Sequence, residues 1–292
     1  MEETVLNYVK ATTVNEAVSL LREAGENGVL LAGGTDIMVG LNAKPAPEGT
    51  TLIDLGGLEE LKGICEEENS LCIGALVTAA ELAKDPAILK WAPALAQAAA
   101  ASAGPQVRNR ATIGGNIGTA SPAGDLISAL YALDATVVVA GAEGCSEKKI
   151  NEVCVGVKRN SLAGGVITRI VVPKACPCCS TSAFEKMGKR KAMTVSLANV
   201  SCWVKLSEAK DTIEDIRIVV GAAATTVVRA AAVEEALKGK AVCEECIEKC
   251  AALVAESINP ITDQRATKWY RMEVIPVLLA KTVKKALEQL KQ

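Results

Sequence analysis

Two motifs in the chain place adjacent glycines after an apolar stretch. In the first, AGGTD at 32–36, the glycines follow the apolar segment VLLA at 29–32. The second, TIGGNIGTASPAGD at 112–125, contains Gly114 and Gly115. Successive glycines leave backbone N–H groups uncovered by Cβ atoms, and such groups bind anions, above all phosphate oxygens. Neither motif has the G-x-G-x-x-G or P-loop spacing. A single glycine pair can merely turn the chain, but two in one domain predict a dinucleotide held by a different fold.

Hydrophobic periodicity and turn residues predict a mixed α+β chain. The predicted strands are VLLA at 29–32, TLIDL at 51–55, VITRIVVP at 166–173 and TIEDIRIVVGA at 212–222. The predicted helices lie at 91–103, 191–202, 232–257 and 264–290, the last kinked or restarted at Pro276. The turn-rich segment KACPCCSTS at 174–182 is the best candidate for a domain boundary.

The composition limits the class of partner. Half of the residues are hydrophobic but only 2% are aromatic, so Ala, Val, Ile and Leu must build the core. The net charge of -2 argues against nucleic acid or an anionic membrane as a partner, because both favour a basic surface. The sequence has no apolar run of about 18 residues, and its acidic start lacks a signal-peptide pattern. We therefore expect a cytoplasmic protein without a membrane span.

The chain has 11 Cys and no His. The missing His excludes Ser-His and Cys-His catalysis within the chain, His-ligated zinc and a flavin tethered through His. The odd number of Cys argues against a disulfide framework. Five cysteines raise the question of a metal cluster: Cys145, Cys154, Cys176, Cys178 and Cys179. Their spacing does not match ferredoxin cluster motifs, which favours free thiols in an exposed turn.

Further segments complete a recognisable order along the chain. VITRIVVP is followed by FEKMGKRKAMTVSLANV at 184–200 and NPITDQRATKWYR at 259–271. With the two glycine motifs, these segments resemble the FAD-binding medium subunit of the molybdenum hydroxylases, a family that includes bacterial xanthine, carbon monoxide and nicotinate dehydrogenases. The resemblance implies an FAD-binding region of the PCMH/vanillyl-alcohol oxidase type at 1–175, with subdomains at about 1–56 and 57–175. A smaller α+β domain of the CO dehydrogenase flavoprotein type is implied at 180–292.

The resemblance also implies which residues contact FAD. The first loop contributes Ala32, Gly33, Gly34, Thr35 and Asp36, and the second contributes Thr112, Gly114, Gly115 and Asn116. Thr119, Ser121 and Asp125 match positions near the adenosine and ribitol, where a carboxylate can accept hydrogen bonds from hydroxyl groups. Ile167 matches an aliphatic position near the isoalloxazine. Lys186, or Glu185 in its place, matches a basic position near the flavin pyrimidine, where a positive charge would stabilise the reduced flavin.

The implied activity is electron transfer within a larger enzyme. A large subunit with the molybdenum cofactor would hydroxylate the substrate, and a small subunit with two [2Fe–2S] clusters would pass electrons to FAD on this chain. The acceptor would be NAD or another oxidant. Xanthine dehydrogenase is the leading expectation. The alternatives are the same subunit of a nicotinate or other aromatic-heterocycle dehydrogenase, or a non-catalytic nucleotide-binding assembly module.

Overall fold

The computed structural model describes residues 6–162 and 164–291. The strands in this part of the chain are β1 (Asn7–Lys10), β2 (Gly28–Leu31), β3 (Thr51–Asp54), β4 (Ile64–Glu66), β5 (Ser70–Gly74), β6 (Thr136–Gly141), β7 (Gly144–Lys149), β8 (Cys154–Gly156), β9 (Arg159–Asn160), β10 (Val166–Pro173), β11 (Ser180–Met187), β12 (Ala198–Leu206), β13 (Ile213–Gly221) and β14 (Val228–Arg229). The α-helices are α1 (Val14–Ala24), α2 (Ile37–Ala43), α3 (Ala79–Leu82), α4 (Pro86–Trp91), α5 (Pro93–Ala101), α6 (Pro105–Arg108), α7 (Ile113–Thr119), α8 (Asp125–Ala132), α9 (Ile150–Val153), α10 (Ala231–Leu237), α11 (Glu244–Ala251) and α12 (Lys268–Gln289).

The N-terminal part forms a three-stranded parallel sheet in the order β1–β3–β2. Helix α1 begins at the N-cap Thr13, whose side chain accepts a hydrogen bond from the Glu16 N–H, and ends at Gly25. Its buried residues, such as Ala17 and Leu21, share a core with Ile53 of the central strand. The first glycine motif begins directly after β2 ends. It therefore lies at the carboxyl end of a parallel sheet, which is where open α/β sheets bind their ligands.

The next part is an antiparallel sheet of five strands in the order β4–β5–β10–β6–β7. Helices α3 to α9 lie between β5 and β10 in the sequence. The main hydrophobic core of this part contains buried aliphatic residues of α5, α7 and α8. Helix α1 packs against β6 and β10, so the first sheet docks onto the second. This arrangement puts α7, which begins with the second glycine motif, beside β10. The segment just before α7 lies against Gly33 of the loop that follows β2.

The C-terminal part is an antiparallel sheet in the order β11–β12–β13–β14. One face packs on α10, α11 and α12, and the other faces α5 and α8 of the preceding part. Alanine-rich α5 lets β11 approach closely, with the Ala94 N–H donating to Ser182 Oγ at 3.0 Å and the Phe184 N–H donating to Gln97 Oε1 at 2.9 Å. Phe184 itself enters the core of the five-stranded region. The C-terminal sheet is therefore joined to that region by a buried, hydrogen-bonded interface.

The mixed α+β prediction is confirmed, but some local predictions are wrong. The helix predicted at 191–202 is absent; its second half instead belongs to β12, which is buried on both faces. The helix predicted at 232–257 is two α-helices followed by a 3₁₀ turn. The last helix continues through Pro276 without a break. The predicted domain boundaries stay predictions, although the three main sheets occupy successive parts of the chain. Within the described residues, no helix combines the length and apolarity needed to cross a membrane.

Candidate functional site

The first glycine loop has unused hydrogen-bond donors. Ala32 to Thr35 are half-buried between β2 and α2, and Asp36 is exposed at the N-cap of α2. In the described part of the chain, the backbone N–H groups of Gly33, Gly34, Thr35 and Asp36 have no protein acceptor. Gly34 has a φ of +74°, a conformation that strains other L-residues. This loop therefore has consecutive N–H groups that are not bonded to protein, and their contact with an anion stays a prediction.

Gly33 also joins the two glycine motifs in space. A Cβ atom at this position would lie 1.8 Å from the Arg110 carbonyl oxygen and 3.2 Å from Ala111 Cα. Neither neighbour is a flexible side-chain end, so the contact exists only because residue 33 is glycine. Thr112, the N-cap of α7, follows immediately, which brings the first loop beside the start of the second motif.

The second glycine motif is a helix start rather than an open anion nest. Every N–H group of its first turn already has a protein acceptor: Ile113 donates to Val77 O (2.9 Å), Gly114 to Ala75 O (2.9 Å), Gly115 to Thr112 Oγ1 (3.1 Å) and Asn116 to Thr112 O (3.0 Å). A Cβ atom on Gly114 would lie 2.8 Å from Ala75 O, so this glycine lets α7 pack on the segment that follows β5. The prediction that Gly114 and Gly115 offer free N–H groups is therefore wrong, because nearby backbone carbonyls and the Thr112 hydroxyl occupy those donors.

Helix α7 also has a surface without side chains and one side-chain oxygen without a hydrogen-bond partner. A Cβ atom on Gly118 would meet no atom within 4 Å, and one on Gly115 would meet only Thr112 Oγ1 at 2.8 Å. Asn116 Oδ1 is buried and has no hydrogen-bond partner among the described residues. A buried polar atom without a partner is costly, so this oxygen is available to a donor, and its contact with FAD stays a prediction. Thr119 and Ser121 lie half-buried at the end of the same helix.

The hairpin of β8 and β9 adds a basic residue that the sequence analysis missed. The Lys158 N–H donates to Ala120 O at 3.2 Å, and Asn160 Nδ2 donates to Gly118 O at 2.7 Å, so the hairpin crosses the end of α7. From there, Lys158 Nζ reaches Asp36 Oδ1 at 3.5 Å. Both side chains are more than half exposed, so this ion pair contributes little stability. No local motif marks Lys158 as part of the site; only the folded hairpin places it there.

Asp125 and Lys186 form a buried ion pair at the interface with the C-terminal sheet. Asp125 Oδ2 lies 2.6 Å from Lys186 Nζ, with side-chain exposures of 7% and 8%. Further hydrogen bonds to the carboxylate come from Ser102 Oγ to Oδ2 (3.2 Å) and from Ser196 Oγ (2.6 Å) and Asn199 Nδ2 (3.3 Å) to Oδ1. A carboxylate accepts about four hydrogen bonds, so its capacity is filled. Asp125 and Lys186 therefore serve each other in this arrangement, and their contacts with the sugar and the flavin pyrimidine stay predictions.

Consecutive side chains of β11 point to opposite faces of the sheet. This separates Glu185 from Lys186, the two candidates for the basic position near the flavin pyrimidine. Lys186 faces α5 and α8, where its Nζ also donates to Ala101 O at 3.1 Å. Glu185 points the other way and pairs with Lys281 and Lys285 of α12. Burial raises the pKa of Glu185, but hydrogen bonds from these two lysines outweigh it and hold the pKa below its usual value. The two residues therefore serve opposite faces of the sheet.

Ile167 lies in the core rather than on an open surface. Its side chain is buried in β10, beside a bulge between Ile167 and Arg169, and belongs to the core that contains α7. Its position next to a flavin ring stays a prediction.

The five cysteines singled out from the sequence differ in exposure. Cys154 is buried, and its burial raises the thiol pKa to about 11. Cys145, Cys176 and Cys178 are exposed, and Cys179 is half-buried. Across the described residues, no group of three or more His, Cys, Asp or Glu side chains is arranged to hold a metal ion.

Comparisons with known proteins identify the family of the chain. Residues 4–175 match the family model "FAD binding domain in molybdopterin dehydrogenase", and residues 182–286 match "CO dehydrogenase flavoprotein C-terminal domain". The chain is 36% identical over 203 residues to the nicotinate dehydrogenase FAD-subunit of Eubacterium barkeri, covering 68% of each chain. It is 29% identical to the putative xanthine dehydrogenase FAD-binding subunit of Escherichia coli, covering 96% of each chain.

The fold agrees as well. The chain superposes on a chain of the carbon monoxide dehydrogenase structure from Hydrogenophaga pseudoflava with a TM-score of 0.92 at 29% identity, covering 97% of this chain and 98% of the other. This similarity confirms the predicted FAD-binding region with its additional C-terminal domain. The chain therefore belongs to the molybdopterin dehydrogenase flavoprotein family and is the FAD-binding subunit of an oxidoreductase of the molybdenum hydroxylase class.

Proposed function

We propose that the chain holds FAD with its diphosphate against the first glycine loop and the exposed face of α7. The observation that carries this proposal is the set of four N–H groups at Gly33 to Asp36 without protein acceptors. When bound, FAD supplies the redox chemistry, accepting electrons and passing them to an acceptor. The first loop binds phosphate oxygens, while the surface formed by Gly115 and Gly118 allows the cofactor to approach α7 closely.

The remaining residues of the proposed site have supporting roles. Asn116 Oδ1 accepts a hydrogen bond from the cofactor, since it is buried without a partner. Thr119 and Ser121 offer hydroxyl groups at the end of α7. Lys158 lies near the first loop and balances part of the diphosphate charge, because its exposed pairing with Asp36 is weak. Thr112 and Gly114 act indirectly by fixing the start of α7, and the Asp125–Lys186 pair fixes the adjoining domain.

The site is tested by adding bulk to the open face of α7. We expect Gly118→Leu to weaken FAD binding at least about tenfold, equivalent to about 1.4 kcal/mol. Gly40→Leu in α2 is the matched control, because a Cβ atom there also meets nothing within 4 Å. Affinity is measured by titrating apoprotein with FAD and following flavin fluorescence. Equal affinities in both variants would contradict the placement, and failure of the parent chain to bind FAD would favour the assembly-module alternative.

We further propose that the chain works in a complex with a molybdenum-cofactor subunit and a [2Fe–2S] subunit, and that the complex is a xanthine dehydrogenase that reduces NAD. The similarity to the Escherichia coli subunit across 96% of each chain supports xanthine. The higher identity to the Eubacterium barkeri subunit, over 68% of each chain, keeps nicotinate as the alternative.

Substrate and acceptor are tested with the purified complex. Xanthine and nicotinate are added separately without an acceptor, and bleaching of the flavin absorbance is followed. Xanthine is expected to bleach it, and subsequent NAD addition is expected to restore it. Bleaching by nicotinate alone would replace the xanthine assignment, and recovery with an artificial dye but not with NAD would overturn the NAD assignment.

A further inference from the structure

The connection between β10 and β11 contains three cysteines in four residues. Cys176, Cys178 and Cys179 lie in the segment CPCC, which follows the FAD-binding match at 4–175 and precedes the C-terminal match at 182–286. Neither matched region includes these thiols. The proposed FAD site does not use them.

The backbone of this connection folds Cys179 back onto Cys176. The Cys176 carbonyl accepts hydrogen bonds from the Cys179 N–H (3.3 Å) and the Ser180 N–H (2.9 Å), and also from Ser180 Oγ (2.7 Å). The Cys179 thiol points towards the same carbonyl, with Sγ to O at 3.8 Å. The turn therefore holds residues 176 and 179 side by side in a C-x-x-C arrangement, the spacing typical of dithiol redox motifs.

The two thiols have opposite acid–base character. Hydrogen bonds from the Cys178 backbone N–H, the Cys178 thiol and the Cys179 thiol lower the pKa of Cys176, which is exposed. Burial and the hydrogen bond to Cys176 raise the pKa of Cys179, which is half-buried. A thiolate is the nucleophile in both steps of disulfide exchange, and the thiol with the lower pKa ionises first, so this asymmetry assigns the first attack to Cys176 and resolution, after loss of its proton, to Cys179.

We propose that Cys176 and Cys179 form a redox-active dithiol that undergoes exchange with low-molecular-weight disulfides. The Cys176 thiolate attacks one sulfur of the small disulfide; an S–S bond to the protein forms, and one small thiolate leaves and takes up a proton. The Cys179 thiol then loses its proton to solvent, and its sulfur attacks Cys176 Sγ. The mixed disulfide breaks and a second small thiolate leaves. Overall, two protein thiols are oxidised to one disulfide and the small disulfide is reduced to two thiols.

Cys178 is the competing partner, since a hydrogen bond from its thiol also lowers the pKa of Cys176. Its exposed side chain lies only two residues from Cys176, whereas the hydrogen-bonded turn brings position 179 across from 176. Cys178 therefore stabilises the Cys176 thiolate as a donor. A metal site is the less favoured use of these thiols, because the described residues contain no cluster arranged for one.

The test uses the full chain equilibrated with oxidised and reduced glutathione at several ratios, followed by acid trapping, alkylation and trypsin digestion. Cleavage after Lys174 and Lys186 releases all three cysteines in one peptide, 175–186. We expect this peptide to lose two hydrogens in the parent chain and in Cys178→Ser. We expect Cys179→Ser to accumulate a glutathione adduct on Cys176, and Cys176→Ser to stay unmodified.

Alkylation rates provide an independent measurement that needs no variant. At neutral pH, iodoacetamide is expected to modify Cys176 about tenfold faster than the exposed cysteines Cys65 and Cys145 of the same chain. Equal rates at these three positions would overturn the assignment of Cys176 as the attacking thiolate. A disulfide that persists in Cys179→Ser but disappears in Cys178→Ser would overturn the assigned pair, and a peptide that stays reduced at every glutathione ratio would overturn the proposal.

Discussion

The two glycine motifs look alike in sequence but differ in what their backbones do. In AGGTD, the N–H groups of Gly33 to Asp36 have no acceptor in the described part of the chain, and Gly33 lies against the Arg110 carbonyl. In TIGGN, the N–H groups of Gly114 and Gly115 are already bonded, and Gly114 lies against Ala75. The first motif leaves its backbone N–H groups available for the proposed phosphate contact. The second builds a helix start and offers a bare surface.

This difference shows that glycine pairs have two separate roles. They leave backbone N–H groups accessible, or they allow two backbone segments to pack closely. A loop whose N–H groups are not bonded to protein leaves them to water, which an anionic ligand can replace. A helix that packs Gly114 on the segment after β5 has its first N–H groups bonded before any ligand arrives. In the proposed site, the loop completes its hydrogen bonds with the cofactor, and α7 offers a surface that is already formed.

The largest expected effect concerns Asp125, the last residue of the second motif, which lies at the interface with the C-terminal sheet. Asp125→Asn leaves the Lys186 ammonium buried without a counter-charge, and we expect the free energy of unfolding to fall by about 4 kcal/mol. Urea denaturation of the apoprotein measures this. Combining Asp125→Asn with Lys186→Met should recover part of the loss, because the unpaired charge is removed. A loss below about 1 kcal/mol in the single variant would mean that the pair is not desolvated.

The close contact between the two motifs is the next test. In Gly33→Ala, the added methyl group meets the Arg110 carbonyl, so the two motifs must move apart. We expect unfolding free energy to fall by about 3 kcal/mol and FAD binding to weaken by more than about tenfold. Gly40→Ala serves as the control, since its Cβ meets open space. Unchanged FAD affinity in Gly33→Ala would show that the two motifs do not form one site.

Gly114→Ala tests the packing role assigned to the second motif. Its Cβ would lie 2.8 Å from both Ala75 O and Ala75 Cβ, so α7 must shift from the strand end. We expect a loss of about 2 kcal/mol in thermal or urea unfolding, measured without FAD. If stability were unchanged and only FAD affinity fell, Gly114 would instead be a position of direct cofactor approach.

The smallest effect is expected at the helix cap. Thr112→Ala removes the acceptor of the Gly115 N–H, and loss of such an N-cap costs about 1 kcal/mol. Thr112→Ser keeps the hydroxyl and should retain most of the stability. If Thr112→Ala left the urea midpoint unchanged, the Gly115 N–H would not depend on this cap.

Sequence reasoning succeeded where the pattern is local. VLLAGGTD predicts a strand followed by free N–H groups because both properties come from neighbouring residues, although β2 is half-buried rather than buried. The FAD-binding family follows from the order of such motifs. The bonding of Gly114 could not be predicted, since its acceptor belongs to Ala75, far away in the sequence.

Other features depend on the assembled domains. The Asp125–Lys186 pair joins residues 61 positions apart and forms only when the C-terminal sheet docks on α5 and α8. The helix predicted at 191–202 is wrong although Ala198, Val200 and Cys202 alternate with Asn199 and Ser201, which is the period of a strand. Asn199 and Ser201 are buried as well, because the other face of β12 packs on α5 and α8. Lys158 reaches the site through a hairpin turn that no motif identifies.

Amide hydrogen exchange, resolved by residue and measured with and without FAD, tests the contrast between the two motifs most directly. Without FAD, we expect the N–H groups of Gly33 to Asp36 to exchange fast and those of 113–116 to be protected, because only the latter have protein acceptors. Adding FAD should slow exchange strongly in the first group and leave the second nearly unchanged. Fast exchange at 113–116 in the apoprotein, or unchanged exchange at 33–36 on FAD binding, would contradict the account.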